Sequence, residues 1–417
     1  MIGAFFSGIS GLMAMSQAIN VVGNNIANVN TVGYKGSRTT FADMLYQSIA
    51  SSAGTTQVGR GVALATVDTI FSQGSFESTS QATDLAIGGE GFFIVRVPDS
   101  GRLYYTRAGQ FRFDKNGNLV NPLGYVLQGK KMDPITGTAT GVDTDIVISM
   151  EPSQPQQTSN IGIAVNLQSD DTVPAQSFDP EEASSYNYST SITIYDSLGQ
   201  PHVVTVYFVK TADNEWDWHV CDDSGQEVGD GHLVFNTNGL LIPDSSDWQA
   251  DLTFDFSSQG ASNDQAITLS FMSESGGWRT TQYPIASKTN FQTQDGYPPG
   301  VLMNVTVSPD GTISGHYSNG QILSLYQITL ARFNNPSGLV REGGNLFSET
   351  LESGVPYTGA PGEGGLGQIN ANSLEMANVD LATEFVKMII AQRGFQANAR
   401  VITTSDEVLQ ELMNLKR

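Results

Sequence analysis

"GISGLMAMSQAINVVGNNIANVNTVGYK", residues 8–35, runs from an uncharged apolar segment into a cluster of asparagines. The first 23 residues carry no charged side chain. Ile2, Phe5, Ile9, Leu12, Ser16, Ile19, Gly23 and Ile26 recur at alternating steps of three and four. That spacing predicts a helix with an a/d seam. Phe6, Met13, Val22 and Val29 add a second apolar strip. The opposite side is small or amide-bearing, where a free surface helix would carry Lys and Glu. The polar side is therefore expected to pack against protein too. Asparagine is a poor helix interior residue and a good turn residue. Asn24, Asn25, Asn28 and Asn30 thus mark where the helix gives way to a turn ending at Gly33, with Tyr34 and Lys35 leaving it.

The apolar segment superficially matches a signal peptide. It lacks a basic leader, and Ser7, Ser10, Ser16, Gln17 and Asn20 interrupt it. One side is too polar for a membrane span, which needs roughly 20 predominantly apolar residues. Neither a cleaved signal nor membrane insertion is expected.

The C-terminus carries a matching pattern. Asn378 and Asp380 suit a helix start, and Glu384 suits its early turns. Leu381, Phe385, Met388, Gln392, Phe395, Ala399, Ile402, Asp406, Leu409 and Met413 then repeat at four and three, with Lys416 and Arg417 at the basic end. Such a helix is about 50 Å long. Two matching seams at opposite ends of one chain predict a terminal coiled coil with everything else inserted. The competing reading is two unrelated amphipathic helices on one globular domain.

Between the ends the signals are β. Residues 84–97, "DLAIGGEGFFIVRV", read as strand, glycine turn, strand. Asn116-Gly117, Asp310-Gly311 and Asn319-Gly320 are hairpin turns between alternating segments, and 191–209 is a further hairpin. The expected class is α+β, with paired terminal helices and nested, mainly antiparallel β domains. Linkers at 151–160, 290–300 and 353–368 set the boundaries. Residues 1–30 and 370–417 form the helical domain, and 31–72 with 353–369 an extended connector. Residues 73–150 with 300–352 form an inner β domain, and 151–299 an outer one.

Charge separates these parts. The chain carries 42 Asp and Glu against 20 Lys and Arg, and residues 145–300 hold 22 of the acids with 3 of the bases. An acidic block argues against nucleic-acid binding, which needs a basic patch. It fits a solvated outer surface. The single cysteine, Cys221, permits no internal disulfide.

Catalytic and ligand motifs are near misses. The four histidines lack metal-ligand spacing. Gly362, Gly364 and Gly367 spell GxGxxG without a surrounding βαβ unit. Gly124–Lys131 approaches a P-loop, but Lys131 stands where Ser or Thr is needed. "DKNGN" at 114–118 suits a hairpin better than a calcium loop. Trp216, Trp218, Trp248 and Trp278 read as β-domain core rather than a sugar platform. No catalytic, metal or cofactor residue is assigned, and the chain is read as a non-enzyme.

Residues 8–35, together with "ATDLAIGGEGFFIV" (82–95), "YTRAGQFRFDKNGNLV" (105–120) and "SLEMANVDLATEFVKMIIAQRGFQANARVITTSDEVLQELMNL" (373–415), resemble the ordered signatures of the bacterial flagellar rod and hook axial proteins. Length and one inserted outer domain resemble the hook members rather than the shorter rod members. The resemblance implies a structural subunit exported unfolded through the flagellar type III apparatus. It would polymerise outside the cell into a curved, torque-transmitting tube around an export channel. Implied partners are further copies of itself, rod and hook-associated junction proteins, the hook cap and the export apparatus. The interfacial residues expected are Ile2, Phe5, Ile9, Leu12, Ile19, Asn24, Asn25, Ile26, Asn28, Gly33 and Tyr34, facing Leu381, Phe385, Met388, Phe395, Ile402 and Leu409. A distal rod protein and an extracellular β-rich adhesin are the alternatives.

Overall fold

The computed structural model describes residues 2–51, 54–98, 100–133 and 136–414. Two helices bracket a chain otherwise built of strands: α1, Ile2–Ala27, and α2, Leu381–Asn414. The expected basic end at Lys416 and Arg417 lies outside the described residues. Asp380 caps α2 by accepting the Thr383 backbone N–H at 2.7 Å. The Thr383 hydroxyl, together with this backbone bond, holds the Asp380 carboxyl below its ordinary range.

The chain divides into two compact units. The first holds Met1–Met150, Asn304–His316 and Ile322–Arg417. After α1 it runs out and back as a ribbon, Ser37–Asp43 pairing antiparallel with Val62–Thr69. The segment read as a connector is thus a hydrogen-bonded hairpin. It lies along α1, Ser37 at its base bonding Asn25 and the Val62 N–H at the far end of the ladder donating to Ser10 Oγ at 3.3 Å.

The sheet of this unit places Phe92–Arg96 between Val126–Met132 and Leu103–Thr106, with Leu346–Ser348 and Val340–Gly343 beyond. All these pairings are antiparallel. The Asp114–Asn118 turn joins two short strands as expected, with Asp114 Oδ1 accepting the N–H groups of Asn116 and Asn118. The strands within 84–97 do not pair with each other. Leu85–Gly88 pairs instead with Gln368–Ala371, far along the chain. Phe76–Ser78 likewise pairs with Ser373–Glu375. These two ladders stitch the start of the β body to the segment leading into α2. The core is aromatic: the Phe92 ring meets those of Phe71, Phe333 and Phe347 at 5.7–6.0 Å.

The second unit holds Glu151–Met303 with Tyr317–Gln321. One sheet is an antiparallel meander of Tyr188–Tyr195, Pro201–Ala212, Glu215–Cys221 and Glu227–Val234. The other centres on Asn160–Gln168, antiparallel to Lys288–Gln294 and parallel to Gln265–Ser270 and Thr281–Tyr283. Alternating inward residues build its core, with Phe208, Trp216, Trp218 and Phe271 fully buried. Trp218 Nε1 donates to the Asp247 carbonyl at 3.1 Å. Trp216 and Trp218 are thus core, not an exposed platform. Burial pushes the Cys221 thiol up to about 11, so it stays protonated and unreactive near neutral pH.

Candidate assembly site

α1 and α2 lie antiparallel. Gly8 faces Ile402, Gly11 faces Asn398, and Gly394 faces Met15. A Cβ on Gly11 would stand 2.7 Å from Asn398 Oδ1, so this glycine makes room for the Asn398 side chain. The buried line of α1 is Gly8, Gly11, Ala14, Ala18, Val22 and Asn25.

Within one chain the buried line differs from the expected seam. The large residues Phe5, Ile9, Leu12, Ile19 and Ile26 are half-buried and flank the contact rather than fill it. The side chain of Ile2 lies outside the described residues. On α2, Met388, Phe395, Ile402 and Leu409 are half-buried, whereas Leu381 and Phe385 are 42% and 50% exposed. The buried line of α1 runs mostly one residue N-terminal to the expected one. A one-residue step turns a helix face by about 100°. Small residues line the contact because they leave room for the Asn398 and Ile402 side chains of α2. The bulky ones are left as a collar, with Phe6, Met13, Val386, Ile389 and Ile390 at half exposure or more.

By length and composition α1 could also cross a membrane. Its small-residue line is instead packed on α2.

Where α1 ends, the asparagines divide their work. Asn24 and Asn28 bond each other on the surface. Asn25 is buried and joins three segments. Its Nδ2 donates to Glu384 of α2 at 3.0 Å and to the Ser37 carbonyl at 2.7 Å, while its Oδ1 accepts from Ser37 N–H and Tyr34 OH. An amide can do this without the desolvation cost of a charge. Gly33 has φ +70°, its N–H bonds the Glu375 carbonyl, and a Cβ there would meet Ala108 N at 2.5 Å. Asn378 Oδ1 accepts the Gly36 N–H, and its Nδ2 reaches the Ile70 and Ser72 carbonyls.

Beneath this junction lies a buried ion triad. Lys35 Nζ meets Glu375 Oε1 at 2.6 Å, and Arg107 Nη1 meets Glu375 Oε2 at 3.3 Å. Lys35 and Glu375 are wholly buried and Arg107 nearly so. Burial lowers the proton affinity of both cations, and Glu375 opposes it. The seam reading named Asn25, Gly33 and Tyr34 but missed Lys35, Arg107, Glu375 and Glu384. The available signal was a lone acid in the apolar run "SLEMANV".

Among the described residues no His, Cys, Asp or Glu group is arranged to hold a metal. The arrangement stores no reactive group. It fixes how both helices leave the β body and exposes an apolar collar.

Four segments match known families in chain order. Residues 7–35 match "Flagella basal body rod protein", and 86–167 "Flagellar hook protein FlgE/F/G D1 domain". Residues 166–297 match "Flagellar basal body protein FlaE D2 domain", and 370–415 "Flagellar basal body rod FlgEFG protein C-terminal". The flagellar hook protein FlgE of Escherichia coli K12 is 38% identical, spanning 99% of this chain and all of that one. The Borreliella burgdorferi flagellar hook protein FlgE is 36% identical over the whole of both chains. A crystal structure of Helicobacter pylori flagellar hook protein FlgE2 superposes with TM-score 0.53 over 72% of this chain and 100% of that one. At 18% identity that likeness speaks for the fold alone.

Proposed function

The chain belongs to the flagellar hook protein family, and from that premise we propose that its helix collar is the surface through which copies polymerise into a curved, flexible tube. It is a structural subunit of the hook, a component of the flagellar basal body. Membership implies self-assembly and association with rod components.

The observation that carries the reading is the collar. Phe385, Val386, Ile389 and Ile390 lie on α2 at half exposure or more. Monomers seldom leave a contiguous apolar stripe of this kind in water. Further copies would bury it. Phe5, Ile9, Leu12, Ile19 and Ile26 would pack beside it, and the helices would supercoil in the tube. Residues 1–30 with 370–417 are assigned to the inner tube around an export channel, and 31–72 with 353–369 to the connection. Residues 73–150 with 300–352 are assigned to the inner β layer, and 151–299 to the solvated outer layer. Export outside the cell, and contact with junction proteins, the cap and the export apparatus, belong to the same reading.

Electron microscopy of concentrated protein tests it. Wild type should form curved tubes. Ile389→Asp, an exposed substitution, should leave a folded monomer that forms none. Straight rods would favour a rod role, and normal tubes from Ile389→Asp would remove the collar from the interface.

A further inference from the structure

A cleft of about 190 Å³ opens beside the junction, lined by Asn28, Tyr34, Arg341, Gly343, Asn345 and Phe347 among others. At about 30 Å³ per water it holds roughly six waters. That is small for a cofactor, whose sites run to about 300 Å³ and more. It is the right size for one side chain.

Arg341 is held ready in it. One guanidinium nitrogen, Nη2, donates to the Lys35 carbonyl. The group also lies 5.4 Å from the Tyr34 ring centre and 5.9 Å from that of Phe347. Two aromatic rings and a carbonyl thus fix its plane. Its other donors have no protein partner among the described residues, and no carboxylate among them lies within ion-pair distance of it. The adjacent Glu342 accepts instead from Ser348 Oγ at 2.8 Å. A guanidinium fixed in orientation and lacking a counterion is built for the planar, two-oxygen geometry of a carboxylate.

We propose that this cleft receives an Asp or Glu side chain from a second copy of the chain, gripped by Arg341. The proposal rests on the polymerisation reading above. Two observations select the occupant. The second unit carries 21 acids against 3 bases, so a neighbouring copy that presents this unit offers mainly carboxylates. The cleft also adjoins the α1 exit, since Asn28 and Tyr34 line it, and so continues the proposed inter-copy surface. A recess on one copy filled by a projection of the next is a heterologous contact, the kind that builds open helical polymers rather than closed dimers.

The test measures the critical concentration for tube formation by the full chain. Arg341→Met keeps the aliphatic stem on the rings, so the monomer should keep its circular dichroism and melting temperature. Its critical concentration should rise roughly ten-fold or more. Wild-type behaviour in Arg341→Met, with Ile389→Asp still unable to assemble, overturns the cleft and leaves the polymerisation reading standing. Assembly by Ile389→Asp fails that reading instead. Should Arg341→Met unfold, carbodiimide treatment of Arg341→Lys tubes decides. A cross-link from position 341 to an acidic peptide of another copy, identified in mixed isotopically labelled tubes, is the expected result. Its absence from such tubes overturns the proposal. A folded Arg341→Lys monomer that cannot assemble supports it, because lysine lacks the planar fork.

Discussion

Glu375 sits between two buried cations, Lys35 and Arg107, and is paired with both. Removing its charge leaves two uncompensated charges in a dry site. Glu375→Gln should therefore cost the first unit about 3–5 kcal/mol in denaturant unfolding. Asn25 serves through its amide, and Asn25→Ala strands the partners it bonded on Ser37 and Glu384. A loss of about 1–3 kcal/mol is expected in the same assay. The Arg96–Asp145 pair predicts an acid response. The Arg96 guanidinium, with Gln128, holds the Asp145 carboxyl below its ordinary 3.8. Its stabilisation is present above that value and is lost as pH falls through the lowered one. The stability gap between wild type and Asp145→Asn should accordingly close as the solution is acidified below 3.8.

At the scale of the element, α1 and α2 share a narrow line of small residues and leave much of their apolar surface outside it. Helices with so little partner surface are marginal in water. Amides in both helices should exchange with deuterium rapidly in the monomer, slowly in tubes, and slowly in the β core throughout. Equal protection in monomer and tube would contradict the collar's role. Gly11→Leu attacks the line itself, since even a Cβ there collides with Asn398. It should abolish tube formation while the strands stay folded, as read by β-sheet circular dichroism and electron microscopy. The strands around 84–97 teach a related lesson. Their sequence announces two strands and a turn, but their partners lie near 103–106 and 368–371, and alternation carries no information about distant partners.

Across the whole molecule, charge and tryptophan content separate by unit. All four tryptophans and most of the net negative charge lie in the second unit or at its border. Tryptophan fluorescence thus reports that unit's unfolding. Glu375→Gln should lower the first unit's transition, followed by circular dichroism, while leaving the fluorescence transition in place. Coincident shifts in both signals would show that the units unfold as one.

Much of the architecture was legible in residue order. Period-3.5 spacing at both ends specified two long helices, and Asn-Gly and Asp-Gly pairs placed hairpin turns, because these signals are local and set by backbone sterics. The acidic block marked out most of the second unit, because charge is a property of composition. The contact face of α1 was not legible. The Phe5–Ile26 stripe and the Gly8–Asn25 line both repeat with helical spacing, and hydrophobicity favours the first. Only the fold shows that the Asn398 and Ile402 side chains of α2 fill the space over Gly11 and Gly8, which leaves the larger α1 residues beside the contact. The Lys35–Glu375–Arg107 triad and the held Arg341 were equally hidden, since their members are scattered along the chain and meet only when the ladders at 368–375 bring the two ends together. Sequence by itself determined the elements and their family. Tertiary structure decided which faces meet and which remain free, because that depends on how side chains from two distant segments fit together, a property absent from any one-dimensional pattern.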